Sequence, residues 1–324
     1  MIVVTGGAGF IGSAIIWKLN QLGEENILIV DELGEDDKWK NLVGLRFKDF
    51  IHKDEFITWV TDEDVPYEIN KVIHLGANSS TTEKDADHLL SNNYQYTQEL
   101  ARFCLWRNIR FIYASSAATY GNGSRGFSDD QAQLEIHRPM NMYGYSKHLF
   151  DLWAMKQGIL DKIAGLKYFN VYGPNEYHKG DMRSVVHKAY EQVRETGKVR
   201  LFKSKNPLYK DGEQMRDFIY VKDAVDITLF FLEHPEINGI FNVGSGKART
   251  WNDLATALFV ALDKPVNIEY IDLPKHLEGK YQYFTEADLS KLYKAGYKKP
   301  LTSLEEGVNE YIKLYLLKDS YLGY

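Results

Sequence analysis

The sequence predicts an α/β fold: a doubly wound parallel sheet with a smaller, discontinuous α/β substrate domain laid over it. Three observations carry this expectation. Short apolar runs of strand length alternate with helical stretches over about 170 residues, the pattern of βαβ units. A glycine-rich turn joins the first run to the first helix. The alternation lapses after Val171, returns briefly, and gives way to a mostly helical tail.

In chain order, Ile2 to Thr5 is an apolar run that suits a fully buried parallel strand. Phe10 to Leu22 follows, with Ile11, Ile15, Ile16 and Leu19 at helical spacing. Asn26 to Asp31 (NILIVD) is a second strand pattern and ends in an acid. Lys71 to Leu75, Arg110 to Ser115 and Leu166 to Val171 give a third, fourth and fifth, and Ile240 to Val243 a later one. Helical stretches lie between them, notably Ala86 to Trp106 and Tyr143 to Leu160. Right-handed crossovers then put helices on both faces of the sheet. Residues 172–215 are rich in Lys, Gly, Asn and Pro and contain the loop-like SKNPLYKDGEQ. The predicted division is therefore residues 1–171 plus 216–247 for the sheet domain and 172–215 plus 248–324 for the second.

Composition narrows the function classes. The length of 324 residues suits about two domains and an ample core, so neither disulfides nor a metal is needed for stability. Thirty-nine basic against 45 acidic residues give a net charge of −6, which argues against nucleic acid as the main partner. The single cysteine, Cys104, allows no intrachain disulfide; in the apolar stretch LARFCLWR it is expected to be a buried small hydrophobe. Met1-Ile2-Val3-Val4 leads straight into the glycine segment, so no signal peptide is expected. No apolar run approaches the ~20 residues of a membrane span. A cytoplasmic enzyme without a membrane partner is the expectation.

Thr5-Gly6-Gly7-Ala8-Gly9-Phe10-Ile11-Gly12 spaces its key glycines G-x-x-G-x-x-G between a strand and a helix. Gly6 permits the tight turn, Gly9 the approach of a pyrophosphate, and Gly12 close helix–strand contact. The helix N-terminus then holds the phosphates, as in a Rossmann-type dinucleotide site. Asp31, 19 residues beyond Gly12, is placed to accept from a ribose 2′-OH, which favours NAD. Lys38 and Lys53 can pair with a 2′-phosphate, which favours NADP. From these residues alone the two cofactors stay balanced.

Tyr143-Gly144-Tyr145-Ser146-Lys147 is Y-x-x-x-K at a helix start, so Tyr143 and Lys147 share one face. The ammonium is expected to lower the tyrosine pKa from its usual ~10. Lys147 can also bind the nicotinamide ribose, and Ser116 can donate to a substrate oxygen. Together they suit interconversion of an alcohol and a ketone beside a nicotinamide.

TGGAGFIG, ASSAATYG, YGYSK, YFNVYGP, RDFIYVKD and FNVGSG follow one another along most of the chain. In that order they resemble the extended short-chain dehydrogenase/reductase family, which acts on nucleotide sugars. Dehydratases of the family carry an acidic pair after the catalytic Ser or Thr to protonate the departing hydroxyl. Ala117 and Ala118 stand there in this chain, so dehydration is not expected. Four further segments are similar to the ADP-heptose 6-epimerase branch: SSTTE (Ser79–Glu83), NNYQYTQEL (Asn92–Leu100), HKGDM (His178–Met182) and GKYQYFTEADL (Gly279–Leu289).

This resemblance implies bound NADP, transient oxidation at C6″ of an ADP-heptose, and return of the hydride to the opposite face. It implies two acid/base groups, Tyr143 and Lys179, and a Lys179 whose pKa is depressed by burial or by cations such as Lys147. By the same resemblance, Phe10 and Ile11 lie on the cofactor turn. Asp31, Glu32, Lys38 and Lys53 surround the adenosine ribose. Leu75, Gly76, Ala77, Asn78, Ser79, Asn92, Lys147 and Val171 complete the cofactor site, and Lys179 touches both ligands. Asn170, Asp181, Lys188, Phe202, Lys203, Ser204, Lys205, Arg216 and Tyr281 fall on the substrate side. Arg216 can pair with a diphosphate or, instead, with an acid such as Asp217. The chain departs from the pattern at Glu32, where Asn is common, at Asp181 and Lys188, and in the longer loop Ser204–Gln214. A homo-oligomer built on pentamers and a role in lipopolysaccharide core synthesis are further implications. A UDP-hexose 4-epimerase and a non-catalytic NADP-binding sensor are the alternatives; the intact Ser116, Tyr143 and Lys147 weigh against the sensor.

Overall fold

Apolar runs too short for helices become the strands of the main sheet. A computed structural model describes residues 1–274 and 281–324 of the chain. Its strands are β1 (Ile2–Thr5), β2 (Ile27–Asp31), β3 (Asp49–His52), β4 (Lys71–His74), β5 (Arg110–Ser116) and β6 (Ala164–Tyr168). They continue with β7 (Asn170–Tyr172), β8 (Val199–Phe202), β9 (Met215–Tyr220), β10 (Gly239–Val243), β11 (Ala248–Thr250) and β12 (Ile268–Ile271). Seven of these form one sheet in the order β10-β6-β5-β4-β1-β2-β3, with every pair parallel. The smaller sheets are β11-β9-β7 and β12-β8.

Alternate residues of the sheet face opposite helical layers, which gives two cores. Ile2 and Val4 pack with Ile15 and Ile16 of α1 (Phe10–Gln21) and with Val225 of α7 (Val221–Glu233). Val3 packs with Phe56 of α2 (Lys53–Thr61) and Leu100 of α4 (Tyr96–Trp106). Each fully buried aliphatic side chain of this kind contributes ~1.5–3 kcal/mol. Cys104 is fully buried in the second core, and burial pushes its thiol pKa up. The expected inert small hydrophobe is what the fold contains. No helix among the described residues is long and apolar enough to cross a membrane.

Three expectations need correction. The run Leu166–Val171 is not one strand: β6 ends at Tyr168 in the main sheet, and β7 pairs with β9 in another. The chain changes sheets at Phe169, whose N–H donates to the Val243 carbonyl at 2.9 Å. The stretch Ala86–Trp106 is not one α-helix. It is α3 (Ala86–Leu89), a wide π turn at Leu90–Gln95, and α4. Helix α5 (Met142–Lys156) stops short of Leu160, because Gly158 adopts φ +63°. Strands β3, β8 and β12 carry no long apolar run; β3 is an edge strand, and β8 and β12 pair only with each other.

Behind the sheet's C-terminal edge lies a buried ion pair. Lys167 of β6 meets Asp151 of α5 at 2.5 Å, both fully buried. Asp151 also accepts from Tyr113 at 2.9 Å and Ser115 at 2.8 Å, while Lys167 donates to Thr119 at 2.7 Å. Every charge in this cluster has a partner, so removing one side leaves the other stranded. Asp151→Ala is expected to cost about 3–5 kcal/mol in urea unfolding, and the double variant Asp151→Ala/Lys167→Met to cost less than the single one. Equal costs for the two variants contradict this account.

Candidate active site

The crevice opens where the strands end. Gly6 follows β1 with φ +67°, and a Cβ on it would lie 2.7 Å from the Gly76 nitrogen. A Cβ on Gly12 would lie 2.1 Å from the Gly6 carbonyl oxygen, so this turn admits only glycine there. Gly9 precedes α1 without a side-chain cap, and the first turn of α1 carries no acid. Its N–H groups and positive helix end therefore form an anion cradle that fits a dinucleotide pyrophosphate. Asp31 closes the turn from below: Oδ2 accepts from the Ala8 N–H at 2.9 Å, and Oδ1 accepts from Lys38 Nζ at 2.9 Å.

A side cavity of about 190 Å³ continues from this turn between Glu32, Lys38, Lys53, Asn78 and Asn92. Lys53 pairs with Glu32 at 2.8 Å and donates to Asn92 Oδ1 at 3.0 Å. Burial acts to raise the Glu32 carboxyl, but the hydrogen bond and charge of Lys53, with help from Lys38, hold it below its usual value. Each acid thus has a lysine beside it. The π turn brings Asn92 here and lets Asn93 lock the neighbouring loop, accepting from Asn78 N–H and donating to its carbonyl, both at 2.9 Å.

The main cavity, about 610 Å³, brings together Gly6, Gly9, Phe10, Ile11, Gly12, Leu75, Gly76, Ala77, Ser79, Ser116, Tyr143, Lys147, Asn170, Val171 and Lys179. Asn141 caps α5 by accepting from Gly144 N–H at 2.8 Å, which sets Tyr143 and Lys147 facing Ser116 across the cleft. Burial raises the Tyr143 phenol above its ordinary value, opposed by a hydrogen bond with Ser116. This corrects the expected depression by Lys147: the phenol is raised by desolvation, and the influence that opposes it is the Ser116 hydrogen bond. Burial pulls Lys147 down to about 8, against the pull of Asp151 one turn on. Lys179 is lowered by burial, opposed by Glu176, and its ammonium sits 5.6 Å from the centre of the Phe10 ring. The expected depression is present, with burial as its cause rather than Lys147. Ala117 and Ala118 add an apolar wall with no acid on it.

On the far side, Arg216 is buried and lies over Trp251 and Tyr281, 5.6 and 5.4 Å from their ring centres. It donates to the Met215 and Gln282 carbonyls. Its sequence neighbour Asp217 accepts instead from Ser245 N–H at 2.6 Å and Ala287 N–H at 2.9 Å, so that acid is committed elsewhere. Lys205 and Tyr281 line an outer cavity of about 590 Å³. Asp181, Lys188, Phe202, Lys203, Ser204 and Arg216 line none of these three cavities, although Trp251 and Tyr281, which flank Arg216, do. Lys188 Nζ donates to the Asp181 carbonyl, Lys203 pairs with Asp272 at 3.1 Å, and Ser204 N–H donates to Asp211 at 2.8 Å. Phe202 sets its ring edge-on to Tyr281 at 6.3 Å. Gly279 and Lys280 of the GKYQYF segment lie outside the described residues.

Sequence reasoning missed Asn141, Trp251 and Gln282, which also line the main cavity. An Asn just before Y-x-x-x-K is a legible helix cap. The other two come to the cavity only through the tertiary fold.

A family profile, the NAD dependent epimerase/dehydratase family, matches residues 2–244. The chain belongs to the NAD dependent epimerase/dehydratase family. An ADP-L-glycero-D-manno-heptose-6-epimerase of Nitratidesulfovibrio vulgaris (strain DP4) is 58% identical over 98% of this chain and 98% of its own. The solved ADP-L-glycero-D-manno-heptose-6-epimerase of Helicobacter pylori superposes with a TM-score of 0.81 at 26% identity, covering 96% of this chain and 94% of the other. A UDP-glucuronic acid 4-epimerase variant from Bacillus cereus, solved with a fluorinated UDP-glucuronic acid and NAD, gives 0.77 at 26% over 98% and 99%. The epimerase/dehydratase match thus spans the glycine turn, Ser116, Tyr143, Lys147 and Lys179.

Several buried or half-buried histidines, one of them (His178) in the main cavity, are held neutral. His137, His148, His178 and His187 are each lowered by burial from 6.5 to about 4. Below pH 6.5 the unfolded chain takes up protons that the folded chain refuses, so this part of the stability is full above 6.5 and drains toward pH 4. His137→Gln and His148→Gln are each expected to flatten the fall of the urea midpoint between pH 6.5 and 4. A slope unchanged by both substitutions contradicts the assignment.

Proposed function

We propose that the chain inverts C6″ of ADP-D-glycero-D-manno-heptose to give the L-glycero epimer, with NADP as the bound cofactor. The observation that carries this is the 58% identity to the Nitratidesulfovibrio vulgaris heptose epimerase over 98% of both chains. The family is named for its dependence on NAD, and the Nitratidesulfovibrio vulgaris and Bacillus cereus relatives are named for nucleotide sugars.

The crevice fits that cofactor. The Gly6–Gly12 turn holds its pyrophosphate, and Lys147 its nicotinamide ribose. Lys38 and Lys53, beside Asp31 and Glu32, offer the cations that a 2′-phosphate needs, which supports NADP over NAD. When bound there, a nicotinamide would supply reversible hydride transfer at C6″. The protein's part is proton transfer in two substrate orientations. Tyr143, steadied by Ser116, exchanges the 6″-hydroxyl proton in one orientation, and Lys179 in the other. A lysine lowered by burial offers its free amine nearer neutral pH, as a base requires.

Arg216 holds the diphosphate, while Asn170, Asp181, Lys188, Phe202–Lys205 and Tyr281 make up the substrate side. Residues 1–171 plus 216–247 carry the cofactor, and 172–215 plus 248–324 the sugar nucleotide. A pentamer-based homo-oligomer belongs to the same proposal and is supported by the sequence resemblance.

Purified protein is expected to convert ADP-D-glycero-D-manno-heptose with no net release of reduced cofactor, followed by NMR of the heptose. Turnover of a UDP-hexose with the heptose untouched replaces this proposal by a 4-epimerase. Tyr143→Phe and Lys179→Met are each expected to slow turnover about 10²–10⁴-fold; full activity of Lys179→Met removes the two-group mechanism. Lys38→Ala is expected to weaken NADP about 10-fold and NAD much less, measured by calorimetry.

A further inference from the structure

One short turn connects the two ends of this site. The 3₁₀ turn Asp37–Leu42 carries Lys38, which bonds Asp31, and Asn41, which is 1% exposed. The Asn41 amide nitrogen lies 2.9 Å from the Ala8 carbonyl in the glycine turn and 3.1 Å from the Asn175 carbonyl. Its two hydrogens serve those two oxygens, and His178 Nδ1 lies within 3.2 Å of the same nitrogen. Asn41 Oδ1 is buried without a partner, so this amide is kept for what it donates.

What it donates to is the segment that presents Lys179. Asn175 adopts φ +77° and is pinned on its other side, donating to Ser13 Oγ at 3.0 Å and accepting from Leu322 N–H at 2.9 Å. Four residues on, the Lys179 N–H closes a turn on the Glu176 carbonyl at 3.0 Å. Lys179 therefore stands on a short arc between Asn175 and the φ +52° of Gly180, and Asn41 ties the near end of that arc to the cofactor turn.

We propose that Asn41 is a positioning residue. It fixes the arc 175–180, and so Lys179, against the glycine turn that holds the cofactor, placing the amine for the reacting carbon. This rests on the proposed acid/base role of Lys179. Asn41 itself does not line the main cavity; it reaches that lining through His178.

The test compares Asn41→Ala with the full-length parent. Trace labelling of amines by isotope-coded acetic anhydride, read by peptide mass spectrometry, is expected to show the Lys179 to Lys147 labelling ratio changed by about 3-fold or more, with the kcat for ADP-heptose lowered about 10-fold or more and its KM changed far less. A general loss of structure changes the labelling of Lys147 as well and moves the ratio to that of the urea-unfolded chain, labelled alongside. The change must instead fall on Lys179, with Lys147 labelled as in the parent. An unchanged ratio, or an unchanged kcat, overturns the inference. If Asn41→Ala does not fold, Asn41→Ser, which keeps one donor, is read by the same ratio and the same kcat. Full turnover by Lys179→Met overturns the role of Lys179 and this inference with it. A crippled Lys179→Met beside an unchanged labelling ratio overturns the inference alone.

Discussion

The carboxylate of Asp151 is the fixed point of the wall that carries Ser116, Tyr143 and Lys147. It stands on α5 one turn beyond Lys147, accepts from Tyr113 and Ser115 of β5, and pairs with Lys167 of β6. Helix and strands can meet in only one register if all three donors are to reach it. That register puts Ser116, at the end of β5, opposite Tyr143 on the same helix. A buried carboxylate without these partners would be too costly to keep, and an apolar residue there would leave Lys167 stranded. Ser116, Tyr143 and Lys147 owe their relative placement to a cluster that none of them belongs to.

The opposite wall is governed by pairing at the surface of the crevice. The chain carries a net charge of −6, yet the cofactor turn matches Lys38 to Asp31 and Lys53 to Glu32. Glu32, where the family pattern commonly has Asn, brings its own counter-charge with it. The turn that presents Lys38 also carries Asn41, which donates to the Asn175 carbonyl, so one short turn links the Asp31–Lys38 pair to the arc 175–180 through a hydrogen bond.

Much of this was legible in the residues. The interior strands show themselves as apolar runs because both faces of a parallel sheet are buried. The glycine turn, Asp31 and Y-x-x-x-K carry their chemistry in spacing alone. Strands β3, β8 and β12 were not visible, since short peripheral strands with polar residues look like loops. The change of sheet at Phe169 and the π turn at Leu90–Gln95 depend on long-range partners, Val243 in one case and Asn78 in the other. Charge effects were the least legible part. Tyr143 is raised rather than lowered, because desolvation depends on the whole cleft, while Lys179 is lowered by burial, one of the two causes expected for it. Arg216 likewise takes carbonyls and aromatic faces in place of Asp217.

The buried position of Lys147 and Arg216 has a thermodynamic consequence. Folding takes these cations out of water, with the Asp151 carboxylate near one and carbonyls and aromatic faces around the other. The protein is a poorer solvent than water for both charges, so binding of an anion beside either would raise conformational stability, and occupancy and thermal endurance would become two measures of one equilibrium.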